Sequence, residues 1–286
     1  MIEETFEGSG GIQLFARSWK SEGPPRAVVI LQHGFKAHSG LYDGPARQLA
    51  ARGLAVHAMD LRGHGRSDGE RYYVDLFADY VADLKIFIER ARAKNPGLPV
   101  FLLGHSAGGV VACTYAIENQ KELTGLICES FAHEVPAPDF ALTILKGLSH
   151  IAPHAHVLNL KDADFSRDPA FVARMMNDPL VPHINYAANS VAEMVRADER
   201  LKREFPLITL PVFILHGTED RVTKPSGSQR FLRDAGSSDK TLKLYEGYFH
   251  DLLNDEGKEQ VLADVVEWIE ARIPGANAQP ASASRG

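Results

Sequence analysis

Residues 102–110 read LLGHSAGGV and continue the apolar run PVF that precedes them. Gly104, Ser106 and Gly108 satisfy G-x-S-x-G. In that strand-to-helix turn, small residues let strand and helix approach closely, and the serine hydroxyl is lifted clear of the sheet. In a chain with 24 glycines the same letters also describe a glycine-rich turn with an idle serine. The flanking sequence has to decide between the two.

Working outward, PVFLLG reads as a buried strand and the residues after Ser106 as a helix, with TGLICES as the next strand. Upstream, AVVILQH (27–33) reads as a continuous apolar strand buried on both faces, and LAVHAMD as the next strand after the helical stretch LYDGPARQLAARG. Residues 75–94 carry Leu76, Tyr80, Val81, Leu84, Ile86, Phe87 and Ile88, mostly at helical spacing. The N-terminus predicts a hairpin, ETFEG and IQLFARSW around SGG. Downstream, LPVFILHG (210–217), a helix near 225–235, the strand TLKLYEG and a helix near 256–272 restore the alternation. Strands alternating with helices predict an α/β fold: a mostly parallel central sheet with helices on both faces and ligands beyond the carboxyl ends of the strands.

Residues 131–190 break the rhythm. They are rich in Pro, His and Asp, hold one helical patch, FALTILKGL, and show no clear strand. An insertion of that length is expected to be a cap over a site. The core is then 1–130 with 191–273, and the Ala- and Ser-rich tail, 274–286, is expected to be disordered. Phe131, Phe140, Leu142, Ile144, Leu145 and Leu148 are candidates to line an apolar pocket, or to pack the cap onto the core.

The chain has 286 residues, 44% of them hydrophobic, and a formal net charge of -6. That suffices for one large domain and argues against nucleic acid as a partner. Cys113 and Cys128 lie in apolar runs, as buried reduced thiols do. The start, MIEETFEGSGGIQ, lacks the pattern of a signal peptide, and no apolar run approaches the roughly 20 residues of a membrane span. A cytoplasmic protein is expected.

A serine hydroxyl becomes a nucleophile only with a histidine base, an acid to orient that base, and donors for the oxyanion. Ala107, next after the serine, offers one backbone N–H, and Phe35, in the turn after AVVILQHG, offers a second. HGTEDRV ends one strand and presents Asp220; LYEGYFHDLL ends the next and presents His250. The order serine, acid, histidine along the chain is that of α/β-hydrolases. Glu219 adjoins Asp220, but neighbours in a tight loop point apart. Glu129, ending GLICE, is a candidate supplementary acid, a substrate contact or a surface carboxylate. His150, His154 and His156 lack the frame of a zinc site, and GLAVHAMDLRGHGRSDG fits no nucleotide-binding pattern and reads as a structural turn. Neither a metal nor a cofactor is expected.

HGFKAHSGLY, MDLRGHGRSDGER, LGHSAGG, NDPL, HGTEDRV and DKTLKLYEGYFHDLLND together resemble the monoacylglycerol lipase and lysophospholipase branch of the α/β-hydrolase superfamily, over roughly residues 10–270. The resemblance implies Ser106, Asp220 and His250 as a catalytic triad, Phe35 and Ala107 as oxyanion-hole donors, and a mobile apolar cap through which the protein would touch lipid aggregates. Where mammalian members resemble HGxGEHSxRY, this chain has Lys36, Ala37 and Leu41 in place of Gly, Glu and Arg. That departure favours a broader carboxylesterase, acting on small-molecule acyl esters such as a monoacylglycerol, a lysophospholipid or a simple alkyl ester, over a strict monoacylglycerol lipase. A thioesterase, an acyltransferase or a cofactor-free haloperoxidase would use the same triad, and a non-catalytic ligand-binding protein would share the fold.

Overall fold

A computed structural model describes residues 1–135 and 139–273. The chain opens with the expected hairpin, β1 (Ile2–Glu7) and β2 (Gln13–Trp19), joined by a turn at Ser9–Gly11. Then follow β3 (Ala27–Gln32), α1 (Asp43–Ala51), β4 (Leu54–Met59), α2 (Phe77–Lys94), β5 (Val100–His105), α3 (Ala107–Asn119) and β6 (Gly125–Glu129). Between β6 and the later core strands lie α4 (Asp139–Ile151), β7 (His156–Leu158), α5 (Pro169–Asn177), β8 (Tyr186–Ala187) and α6 (Ala188–Glu204). The chain continues with β9 (Val212–Gly217), α7 (Pro225–Asp234), β10 (Lys240–Tyr245) and α8 (Lys258–Glu270).

Eight strands form one sheet in the order β1-β2-β4-β3-β5-β6-β9-β10. From β4 to β10 every neighbouring pair is parallel, and only the hairpin and its junction with β4 are antiparallel. Side chains on a strand alternate between faces, so the apolar runs feed two cores. Val28, Ile30 and Leu102 join Tyr80, Leu84 and Ile88 of α2, Val110 of α3 and Leu201 of α6. Val29, Leu31, Phe101 and Leu103 join Leu49 of α1 and Val261, Val265 and Ile269 of α8 on the other side. This is the α/β-hydrolase fold.

The segment between β6 and β9 differs from the sequence reading. It pairs β7 with β8 in a separate two-stranded ribbon, strands too short to show a period. It also contains α5, whose N-terminus is capped by Asp168, which accepts from the Ala170 and Phe171 amides. Helix α6 begins at Ala188, two residues before the boundary expected at 190. The expected disordered tail, 274–286, lies outside the described residues. No helix among the described residues is long and apolar enough to cross a membrane.

Candidate functional site

Ser106 sits between β5 and α3 with φ 53° and ψ -121°, a conformation that side chains other than hydrogen rarely adopt. Its neighbours enforce it. A Cβ on Gly104 would stand 2.5 Å from the Gly108 carbonyl and 2.7 Å from Gly109 Cα, and one on Gly108 would overlap the Gln32 and His33 carbonyls at the end of β3 and just after it. The Ser106 amide donates to the Glu129 carbonyl at 2.9 Å, and the Ser106 carbonyl accepts from Gly109 at 2.9 Å. The serine is therefore clamped between two parallel strands and the start of a helix.

The loop after β3 runs along this turn. A Cβ on Gly34 would meet Ser106 Cβ at 2.8 Å and the Ala107 nitrogen at 3.3 Å, which places Phe35 beside the start of α3. Among the described residues neither the Phe35 nor the Ala107 N–H donates to a protein acceptor. His33 orients the loop: its Nε2 accepts from the Leu61 amide at 2.9 Å, so its Nδ1 carries the proton and donates to the Gly34 carbonyl at 2.7 Å. Burial lowers the His33 ring to about 4, so that it stays neutral at physiological pH.

Asp220, in the loop after β9, and His250, in the loop after β10, meet at 2.8 Å between Oδ2 and Nδ1. Oδ1 of the aspartate accepts from the Val222 and Thr223 amides at 2.8 and 2.9 Å. Burial pushes this carboxyl up, but the charge of His250 and hydrogen bonds from His216 and His250 outweigh it and hold the group far below the usual carboxylate range. His250 Nε2 is buried and has no hydrogen-bond partner among the described residues. The His250 ring packs on His105, the residue before Ser106, with centroids 4.8 Å apart. Asp220 and His250 thus meet beyond the ends of β9 and β10, and Ser106 follows β5 one residue after the His105 ring on which His250 packs. Glu219 is not part of this contact; its amide donates to the Tyr248 carbonyl.

Glu129 lies beneath them, fully buried rather than at the surface. Its Oε1 accepts from the Leu253 amide at 3.0 Å, which anchors the loop that carries His250. Burial, with the Asp251 charge added, raises its carboxyl well above the ordinary range, and burial lifts Asp251 to about 6. One ligand atom each from His105, Glu129 and Asp251 lies within 4.8 Å of the others. The His105 nitrogens, however, contact Tyr42 Oη at 2.7 Å and the His250 carbonyl at 3.4 Å, so the cluster is a hydrogen-bonded support rather than an open cage. His154 pairs with Glu70 and His156 bonds the Asn185 carbonyl, which separates those two histidines.

Of the apolar candidates, Phe131 is fully buried and packs on Phe205 and Phe231 in the core. Phe140 and Ile144 project to solvent, 69% and 66% exposed, while Leu142, Leu145 and Leu148 are half-buried. The residues over the site are others. Phe165 stands edge-on to His250 at 5.2 Å, and Tyr186 stacks on Phe35 at 4.2 Å. Tyr186 Oη accepts from the Lys36 amide and lies 3.1 Å from His64 Nε2. Lys36, at φ 55°, sends its buried ammonium to the Leu160 carbonyl and to Asp162. The sequence singles out neither Phe165 nor Tyr186, and His64 falls in the RGHG stretch that reads as a structural turn. With this cover in place Ser106 keeps 6% exposure and His250 none.

The Hydrolase_4 family model, described as serine aminopeptidase, S33, matches residues 23–257. A monoacylglycerol lipase of Mycolicibacterium smegmatis is 32% identical over 274 residues, covering 95% of this chain and 98% of the relative. Human monoglyceride lipase is 34% identical over 267 residues, covering 92% and 88%. The crystal structure of a monoacylglycerol lipase from Paleococcus ferrophilus superposes with a TM-score of 0.80 at 31% identity, covering 90% of this chain and 98% of that one.

Proposed function

Because the chain belongs to the Hydrolase_4 serine hydrolase family, in its monoacylglycerol lipase-like branch, we propose that it hydrolyses carboxylic esters of apolar acids through an acyl-enzyme on Ser106. The observation that carries this reading is the buried Asp220–His250 pair, 2.8 Å long, with Nε2 left without a partner and the ring packed on His105, the residue before a serine on a strained turn.

Ser106 Oγ attacks the ester carbonyl and passes its proton to His250 Nε2, and Asp220 stabilises the imidazolium that forms. The Phe35 and Ala107 amides take the oxyanion, a donation worth about a hundredfold or more in rate for each. His250 then protonates the departing alcohol, and water activated by the same nitrogen clears the acyl group and restores Ser106.

Residues 131–190 act as the cap. Phe165 on His250 and Tyr186 on Phe35 support that assignment, since they cover the atoms an ester has to reach. Helix α4 shows Phe140, Ile144 and Ile151 to solvent, a face suited to transient contact with lipid aggregates, and Leu142 and Leu145 are half-buried. Head-group recognition is weak. Ala37 and Leu41 offer no polar atom beyond the backbone, and the Lys36 ammonium is committed to Leu160 and Asp162. The test is kcat/KM for matched glyceryl and ethyl esters from C4 to C12. Each buried methylene contributes up to about 0.8 kcal/mol, so two more carbons should raise kcat/KM roughly tenfold until the pocket ends. Glyceryl and ethyl esters should differ little. A large glyceryl advantage at every length would restore a dedicated monoacylglycerol lipase.

A further inference from the structure

Asp220 receives more hydrogen bonds than the orientation of one histidine requires. Besides His250, its Oδ2 accepts from Thr223 Oγ1 at 2.8 Å and faces His216 Nε2 at 3.1 Å. His216 belongs to β9 and is fully buried, as is Ser228 in the first turn of α7, whose hydroxyl lies 2.7 Å from His216 Nδ1. A nitrogen facing a carboxylate carries the proton, so Nε2 is the donor and Nδ1 accepts from Ser228. Two imidazoles therefore share one carboxylate oxygen, and the second is oriented by a serine just as His250 is oriented by Asp220.

We propose that His216, held by Ser228, is a positioning residue for the ester hydrolysis: it fixes Asp220 Oδ2 toward His250 and shares the charge of the carboxylate. The inference rests on the triad reading above. A carboxylate oxygen pinned from two further directions cannot follow His250 when the ring turns between the serine and the leaving group, so the base returns to one geometry. A donor on Oδ2 also withdraws negative charge from the aspartate, which then favours the imidazolium less strongly. Removing His216 should leave the carboxylate more basic toward His250, and the acid limb of the rate profile should move to higher pH.

The experiment compares wild type, His216→Gln and the double variant His216→Phe with Ser228→Ala, using kcat and KM for p-nitrophenyl butyrate from pH 5 to 9 and a thermal melt of each. The double variant removes both partners together, so that no hydroxyl is orphaned, while glutamine keeps an N–H directed at Asp220. His105, Glu129 and Asp251, the titratable groups packed beneath His250, are unchanged in all of them. The expected result is an acid limb displaced to higher pH in the double variant, with kcat down about tenfold, the loss of one hydrogen bond, and KM within twofold. The glutamine variant should follow the wild-type profile. If the double variant fails to fold, His216→Asn, whose amide is too short to reach Oδ2, should show the same displacement. An unmoved acid limb with only a lower melting temperature would reduce His216 to a packing residue and overturn the proposal. Ser106→Ala serves as the control for the underlying reading: if it keeps turnover the triad itself fails, whereas an inactive Ser106→Ala with unmoved His216 profiles sinks this inference alone.

Discussion

Replacing Asp220 by asparagine changes one oxygen to nitrogen, and the surrounding donors dictate the outcome. The Val222 and Thr223 amides, at 2.8 and 2.9 Å from Oδ1, belong to the loop backbone and cannot turn away. The new carbonyl oxygen must therefore stay on their side, and the NH2 group takes the place of Oδ2, facing His250 Nδ1 and His216 Nε2. Donor meets donor. His250 relieves the clash by moving its proton to Nε2, and in that tautomer it cannot accept the proton of Ser106. A wrong tautomer costs roughly 10³ to 10⁴ in kcat, or about 4–5.5 kcal/mol at the transition state. Lost charge-assisted hydrogen bonds should destabilise the fold by about 1–3 kcal/mol, a fall of a few degrees in Tm. The assay is the initial rate of p-nitrophenyl butyrate hydrolysis between pH 6 and 9, with a melt to confirm folding. Glu129→Gln is the comparison: it keeps an acceptor for Leu253 and touches His250 nowhere, so it should lose less than about tenfold. A folded Asp220→Asn within tenfold of wild type, or the reverse ranking of the two variants, would refute the reasoning.

Ser106→Gly should abolish turnover and at the same time raise stability by up to about 1 kcal/mol, because glycine occupies the positive-φ turn without strain; a lower Tm in urea or heat titrations would contradict the strained-turn account. Gly108→Ala should cost both stability, by about 1–3 kcal/mol, and rate, since its methyl overlaps the Gln32 and His33 carbonyls and drives α3 and the Ala107 amide away from β3. Unchanged melts and rates would show that helix and strand are not packed this closely. Acid should unfold the protein steeply. Burial lowers His33 and His57 to about 4 and His64 to about 3, against about 6.5 in an unfolded chain. Between those values the unfolded chain binds the extra protons, so stability is fully present above about pH 6.5 and falls as pH drops, by up to about 1.4 kcal/mol per pH unit for each ring. Chemical denaturation at pH 5 and pH 7 measures this, and equal stabilities would be the contrary result.

The sheet was legible because β3, β4, β5, β6 and β9 are buried on both faces, and a strand in that position is mostly apolar along its length, with His57 the one polar side chain inside β4. The hydrolase turn was legible for a related reason: backbone atoms approach so closely at Gly104 and Gly108 that no other residue fits. Placing Asp220 and His250 required only their positions just after the last two strands. The segment over the site was much harder to read. β7 and β8 have three and two residues, fewer than any periodicity needs, and Tyr186 acquires its importance from contacts with Phe35, Tyr72 and His64, all far away in sequence. α5 was missed although Asp168-Pro169 is a recognisable helix start. Phe131 illustrates the limit of composition: an aromatic next to a functional strand end is as suited to the core as to a pocket, and here it packs on Phe205 and Phe231.

The central claim, that Ser106 is the nucleophile served by His250 and Asp220, is tested most directly by covalent labelling with a fluorophosphonate followed by peptide mass spectrometry. One adduct per chain is expected, on the peptide that contains Ser106, with loss of ester hydrolysis in proportion to labelling and slow labelling in Asp220→Asn. Labelling at another residue, or a fully labelled Ser106 in a protein that still hydrolyses esters, would contradict it.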